Sequence, residues 1–397
     1  MKKPEIMSPI RNWASLEACK KYADAVYFGV SDLSMRARSG IKLSEIKKFV
    51  LKCHKYKIKA YLTINSVVYD SDILKAEKLI KKAKEVGVDA VIVWDPAVIE
   101  IARKEKIKFI ISTQANVSNW KSAEFYKKLG ATRIVLAREM TLRQIKEIKK
   151  KVNVEIEVFV HGAMCLSVSG RCILSAYLYG KSANCGVCSQ PCREEWILQN
   201  REGKKIINKG KYFLNAKDIC MIEYIPKIIK AGINSFKIEG RRRDPKYIEV
   251  ASRCYAQAVD AYCAGTYTKE KAKKWKNELA AVYNRGFSTG FFFGTPGKEG
   301  ISYDMADNIS KTKKVQIGEV VHYYPKIKVA LIKLRHKGIK LKDKVIVEGG
   351  KTFFEQKIES MQIEGKDISR AKKGEDVAIK IKEKARRKDL VFIIKNN

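Results

Sequence analysis

KAYLTINSVVYDSDILKAEKLIKKAKEVGVDAVIVWDP, residues 59–96, decides the fold. It opens on an apolar run, KAYLTIN (59–65), and closes on another, AVIVWDP (90–96). Between them KAEKLIKKAKE (75–85) repeats its apolar residues at helical spacing, with lysines on the remaining face. Strand, amphipathic helix, strand is the unit from which parallel sheets are built. The same alternation extends in both directions. Further strands are expected at 4–9, 25–30, 108–116, 133–139, 155–163 and 235–241, with helices such as 43–56 and 141–152 in the gaps. The strand candidates are near-continuous apolar runs, as in strands covered on both faces. Eight of them predict an α/β fold of the (β/α)8, TIM-barrel-like kind. An open doubly wound sheet would place a glycine-rich phosphate loop after its first strand, and IMSPIRNWAS has none.

The repeat is interrupted once, between strands seven and eight, by an insertion spanning 164–234. After the barrel, two helices are expected within 245–283. A Gly- and Phe-rich loop (285–300) is expected to fold back on the barrel, so that the barrel spans 1–295. A polar linker covers 296–312. From 313 to 397 the pattern changes to short alternating strands with charged turns, which predicts a small β-barrel domain with possible RNA contact.

Ten cysteines are present, and five of them fall between Cys165 and Cys192. Cys19, Cys53, Cys254 and Cys263 lie in helical patterns, where a thiol is ordinarily core or incidental. The clustered five lie on a Gly/Ser-rich segment whose flexible backbone lets several sulfurs turn toward one centre. Four such ligands hold zinc or an iron–sulfur cluster. Only one short C-x2-C hook is present, whereas zinc sites usually show two. The N-terminus, MKKPEIMSPIRNW, lacks the apolar core of a signal peptide, and no run approaches the ~20 apolar residues of a membrane span. A cytoplasmic protein with reduced thiols and no membrane partner is therefore expected.

EVFVHGAMCLSVSGRCILS (157–175) resembles the signature of the collagenase-like peptidase U thirty-two family. In order around it, ADAVYFGVSDLSMRA (23–37), STQANVSN (112–119), VLARE (135–139), KDICMIEYIP (217–226), FKIEGR (236–241) and TGFFFG (289–294) are similar to further family elements. The resemblance covers roughly residues 1–300, and within the family it is strongest to the tRNA hydroxylation proteins, which also carry a small C-terminal β domain. It implies a 4Fe–4S cluster on four cysteines. It also implies hydroxylation of tRNA wobble uridine to 5-hydroxyuridine, with prephenate as the associated metabolite and no need for molecular oxygen. Cys165, Cys172 and Cys188 match three family ligands. One branch places the fourth where this chain has Asn208, which leaves Cys192 as the natural fourth. Cys185 is an extra thiol that could replace it. Cys220 matches a family position and is read as structural.

Barrel active sites sit at the C-terminal ends of the strands. Polar residues there include Asn65, Asp95, Gln114, Asn116, Arg138, Glu139, His161, Glu239 and Arg241, which together suggest a polar pocket. His161, four residues before Cys165, is a candidate proton donor, with a purely orienting role as the alternative. Glu239 and Arg241 are the other catalytic candidates, and Arg241 could fork onto a prephenate-like small carboxylate. Arg36, Asn65, Gln114, Asn116, Arg138 and Glu139 are the substrate-binding candidates. Arg38 is a further anion-binding candidate.

Lys and Arg number 81 against 43 Asp and Glu, a formal net charge of +38. Such a surface attracts polyanions, so tRNA is the expected partner. Two other readings stand beside the RNA-modifying enzyme. One is a metal-dependent peptidase, as the family name suggests, although no HExxH element is present. The other is a non-catalytic RNA-binding factor with a structural cluster.

Overall fold

The computed structural model describes residues 3–30, 33–35, 40–205, 211–305 and 307–396. Its strands are β1 (Glu5–Pro9), β2 (Ala25–Phe28), β3 (Lys59–Ile64), β4 (Ala90–Val93), β5 (Phe109–Ile111), β6 (Arg133–Val135), β7 (Glu155–Gly162), β8 (Asp218–Cys220) and β9 (Ser235–Ile238). β1 to β7 pair in parallel, each with the next. β9 pairs in parallel with β7 on one side and β1 on the other, which closes an eight-stranded barrel. All eight expected strands are therefore present. Several stop earlier than expected: β5 ends at Ile111 and β6 at Val135. Their polar tails leave the ladder and turn over the barrel mouth, because a hydrogen-bonded apolar strand offers those side chains no partners.

The helices follow from local chemistry. Leu142–Lys151 buries Leu142, Ile145 and Ile148 on one face. A Thr141–Gln144 capping box starts it, and three lysines in its last turn favour the negative end of the helix dipole. Asp95, one of the polar strand-end residues, caps the helix Pro96–Lys104 by accepting from the Ala97 amide at 2.9 Å. Inside the barrel, Met7, Ala25, Tyr27, Tyr61, Ala90, Ile92, Ile110, Val135 and Phe159 form a plug. Below it Arg133 is buried against Glu5 at 2.5 Å and Glu157 at 3.1 Å, while Lys237, level with Met7 and Phe159 of the plug, bonds Glu157 at 2.8 Å. The charges are paired, as burial requires.

β8 lies in the insertion and runs antiparallel to the end of β7, with Cys220 opposite His161. Phe287–Ser288 then pairs with β8, and the Phe292 carbonyl accepts from the Leu142 amide at 2.9 Å, so the Phe-rich loop packs back on the barrel. Cys19, Cys53, Cys220 and Cys254 are buried, and Cys263 is exposed. No helix among the described residues is long and apolar enough to cross a membrane.

From Thr312 the chain forms an eight-stranded antiparallel sheet. Bulges near Gly318 and Val320 bend its long first strand, which pairs with 390–396 along one half and 329–334 along the other. The sheet curls until its two sides meet at Gln356. That side chain donates to the Lys380 carbonyl and accepts from the Lys382 amide, both at 2.8 Å, so one amide group bridges the gap as a strand would. This curled sheet rests on the barrel. Ile346 and Phe353 cover Ala14 and Ala18, and Lys246–Glu355 and Lys351–Glu45 tie the surfaces at 2.6 and 2.9 Å.

Candidate functional site

A cavity of about 220 Å³ opens at the C-terminal ends of the barrel strands. Its floor is the top of the plug: Tyr27, Ile92, Val135 and Phe159. Its wall is polar: Thr63, Asn65, Ser112, Gln114, Arg138, Glu239 and Arg241 all line it. The insertion forms its roof and contributes Cys165, Cys172, Cys188 and Cys192. Four of the five clustered thiols thus share one cavity. The fifth, Cys185, bonds the Tyr69 hydroxyl instead and is not among the lining residues.

The sulfurs are held by a built loop. Gly162 at the end of β7 has φ +99°, and a Cβ there would sit 2.3 Å from the Glu239 carbonyl. Only glycine lets the chain pass β9 this closely as it turns into the cysteine segment. Ser169, also at positive φ, is fully buried between two barrel loops. Its amide donates to Glu139 Oε1 at 2.7 Å and its hydroxyl to Asn116 Oδ1 at 2.9 Å. Arg193 is buried beyond Cys192 and donates to the Ala216 and Met164 carbonyls, each at 2.6 Å. The Leu174 amide approaches Cys172 Sγ at 3.4 Å and the Gln190 amide approaches Cys188 Sγ at 3.3 Å. Amide donors of this kind stabilise negative sulfur. Burial pushes the Cys192 thiol above its ordinary value. Arg193 opposes that, and the Cys165, Cys188 and Cys172 sulfurs add to it.

The polar wall is internally bonded. Asn65 donates to Ser112 Oγ at 3.0 Å and to Gln114 Oε1 at 3.2 Å, and accepts from the Met35 amide at 3.1 Å. Arg241 donates to Ser34 Oγ at 2.9 Å and Thr63 Oγ1 at 3.2 Å, and its guanidinium lies 5.3 Å from the Tyr27 ring. Arg138 lies over Phe159 at 4.1 Å. Arg138, Arg193, Lys237, Arg241 and Arg242 all line this one cavity, an arrangement suited to a compact anionic ligand.

Three of the candidate residues lie off the cavity wall. His161 does not line the cavity. The pairing of β7 with β9 slips between Phe159 and His161, which breaks the inward–outward alternation and turns the ring away from the cavity. It packs among Tyr247, Tyr255 and Phe287 at 5.4 to 5.8 Å, only 1% exposed. Asn116 and Glu139 do not line the cavity either; both are spent on Ser169 and position the cysteine loop. Arg36, Arg38 and Asn208 lie outside the described residues.

Lys237 was missed by the sequence reading. It lines the cavity floor, buried, with Nζ 4.3 Å from the Tyr27 ring, and burial lowers its pKa against the pull of Glu157. The signal was present: in SFKIEGR every second residue from Ser235 is polar, and that face points inward.

Burial presses the His161 pKa down to about 3. An unfolded histidine titrates near ~6.5, so between those values the unfolded chain binds the extra proton. This contribution to stability is complete above ~6.5 and is lost as pH falls toward 3, at up to about 1.4 kcal/mol per pH unit. Urea unfolding at neutral pH and about one unit below pH 6.5 is expected to show a larger acid loss for the wild type than for His161→Phe. Equal losses in both proteins would contradict this placement of the ring.

Residues 11–302 match the family model described as Peptidase family U32. An uncharacterized protease of Methanocaldococcus jannaschii is 41% identical over 98% of this chain and 98% of its own length. A collagenase of Porphyromonas gingivalis is 34% identical over 98% of this chain and 97% of its own. The tRNA hydroxylation protein P1 of Bacillus subtilis is 36% identical over 81% of this chain and 78% of its own.

Proposed function

The chain belongs to peptidase family U32, and from that premise we propose that it is an iron–sulfur enzyme that hydroxylates RNA, with wobble uridine of tRNA as the substrate. The observation that carries the reading is the meeting of four thiols and five cationic side chains at one barrel mouth, in a chain similar to a tRNA hydroxylation protein.

The donor set fits a 4Fe–4S cluster on Cys165, Cys172, Cys188 and Cys192. Four ligands of one zinc ion would each lie about 2.3 Å from a single point. A cubane cluster gives each cysteine its own iron and accepts a wider spacing. When bound, such a cluster supplies iron able to polarise an oxygen-bearing group or to pass electrons. Arg241 and Arg138 bind and orient the carboxylate of a small co-substrate, for which prephenate is the proposed identity. The insertion screens the cavity from water, and Glu239 on the wall is placed to hold or release a proton. The net change replaces the uridine C5–H bond by C5–OH, a two-electron oxidation of the base; the hydroxylated co-substrate R–OH that gives up its hydroxyl takes the hydrogen and the two electrons and leaves as R–H. A base held in a stem-loop has to be splayed out to enter.

The collagenase name of one relative keeps peptidase activity as a second reading. The test is nucleoside mass spectrometry of tRNA from cells lacking this protein, with and without complementation. Loss and recovery of 5-hydroxyuridine is the expected result. Unchanged 5-hydroxyuridine, or gelatin cleavage by the purified protein, would overturn the reading.

A further inference from the structure

The geometry points to the exposed aromatic face of the cysteine insertion as a stacking platform for an unpaired RNA loop, with Tyr177 as its central residue. This inference rests on the RNA reading above and names where on the molecule that substrate docks.

The short helix Leu174–Tyr179 has the sequence LSAYLY, yet among its side chains only Ser175 is fully buried. Tyr177 is 82% exposed, and Ile173 just before the helix is 62% exposed. Leu178 and Tyr179 are exposed as well, as are Leu166 and Val168 in the preceding loop. A chain that leaves so many large apolar side chains in water in one insertion presents a partner surface. The helix also belongs to the mouth: Leu174 and Ser175 line the cavity, as does Leu166. A partner on this face therefore lies against the opening.

The charge around the face selects the partner. Among the described residues of the insertion, Arg171, Lys181, Arg201, Lys204, Lys205 and Lys211 are exposed, against Glu194, Glu195 and Glu202, with Glu194 accepting from the Tyr179 hydroxyl. Arg171 and Lys181 flank the helix and are exposed, and Arg242 reaches the mouth, where it donates to the Cys188 carbonyl at 2.8 Å. Aromatic side chains set among cations are the surface that unpaired nucleotides need. The rings stack on bases of any identity, and the cations track the phosphates. A fully paired duplex hides its base faces and gains only the second contribution. Stacking a loop base on Tyr177 also holds the loop open beside the cavity, where a neighbouring nucleotide has to enter.

The test uses the full-length protein, purified anaerobically, and two RNA probes: a hairpin with a uridine in its loop and a fully paired duplex of the same length. Tyr177→Ala is expected to weaken hairpin binding about tenfold or more and to leave duplex binding unchanged. Tyr177→Trp is expected to retain hairpin affinity, and Lys181→Ala to weaken both probes alike. Thermal melting confirms that each variant is folded. If the wild type binds the hairpin and Tyr177→Ala binds it equally well, the platform is refuted while the RNA reading stands. If Tyr177→Ala instead abolishes self-association in sedimentation, the face is a protein interface and the platform is refuted. If the wild type binds neither probe, the RNA reading falls and takes the platform with it.

Discussion

Cys165→Ala and Cys192→Ala proteins, purified anaerobically, are expected to lose bound iron and sulfide, whereas Cys185→Ala keeps both. The sequence left the fourth ligand open between Cys185 and Cys192. The fold separates them. Cys192 lines the same cavity as Cys165, Cys172 and Cys188, and its thiol is close enough to those three to feel their charge. Cys185 points to Tyr69. Removing one of four anchoring thiolates leaves an iron without its protein ligand and exposes it to solvent, so metal affinity should fall by more than about a hundredfold, the upper end for loss of a mere supporting contact, and iron content should fall with it. tRNA hydroxylation should be lost in the same two variants and retained in Cys185→Ala. Iron and sulfide analysis with nucleoside mass spectrometry checks both. A full complement of iron in Cys192→Ala would remove it from the ligand set.

Replacing Arg241 by Met should cost about a hundredfold or more in kcat/KM while iron content stays at the wild-type level. Arg241 is buried, yet its guanidinium sits on the cavity wall, fixed by Ser34 and Thr63 and laid against Tyr27. A bidentate, charge-assisted grip on a carboxylate is worth several kcal/mol in such a place, because water is largely excluded. Methionine keeps the length and apolar bulk, and the Ser34 and Thr63 hydroxyls can still bond each other. Arg241→Lys should recover only part of the loss, since a point charge lacks the planar fork. If the arginine only supports the fold, the Met variant will show a lower melting temperature with unchanged kinetic constants in the folded fraction.

The barrel was legible because its strands are nearly unbroken apolar runs, and burial on both faces writes that pattern directly into composition. The thiol cluster was legible for a similar reason, since spacing along the chain is a local property. Distinguishing wall from scaffold was not. Asn116, Glu139 and Gln114 are all polar residues at strand ends, and nothing local says that the first two turn to Ser169 while the third faces the cavity. His161 failed for a different reason. Period-two alternation from Glu157 and Phe159 places it inward, and one slipped residue in the pairing with β9 reverses it. The small β-barrel of the C-terminal region was legible in its short alternating strands, but the way it closes was not, because the Gln356 amide reaches two backbone groups 24 and 26 residues away.

All four cavity thiols hang from a single excursion of the chain between β7 and β9, and the hydrogen bonds joining those two strands involve none of them. If those thiols hold the proposed cluster, the barrel's own ladder does not depend on it, so the fold and the filling of the centre are separable: the four-thiol loop can be emptied while the eight strands stay paired.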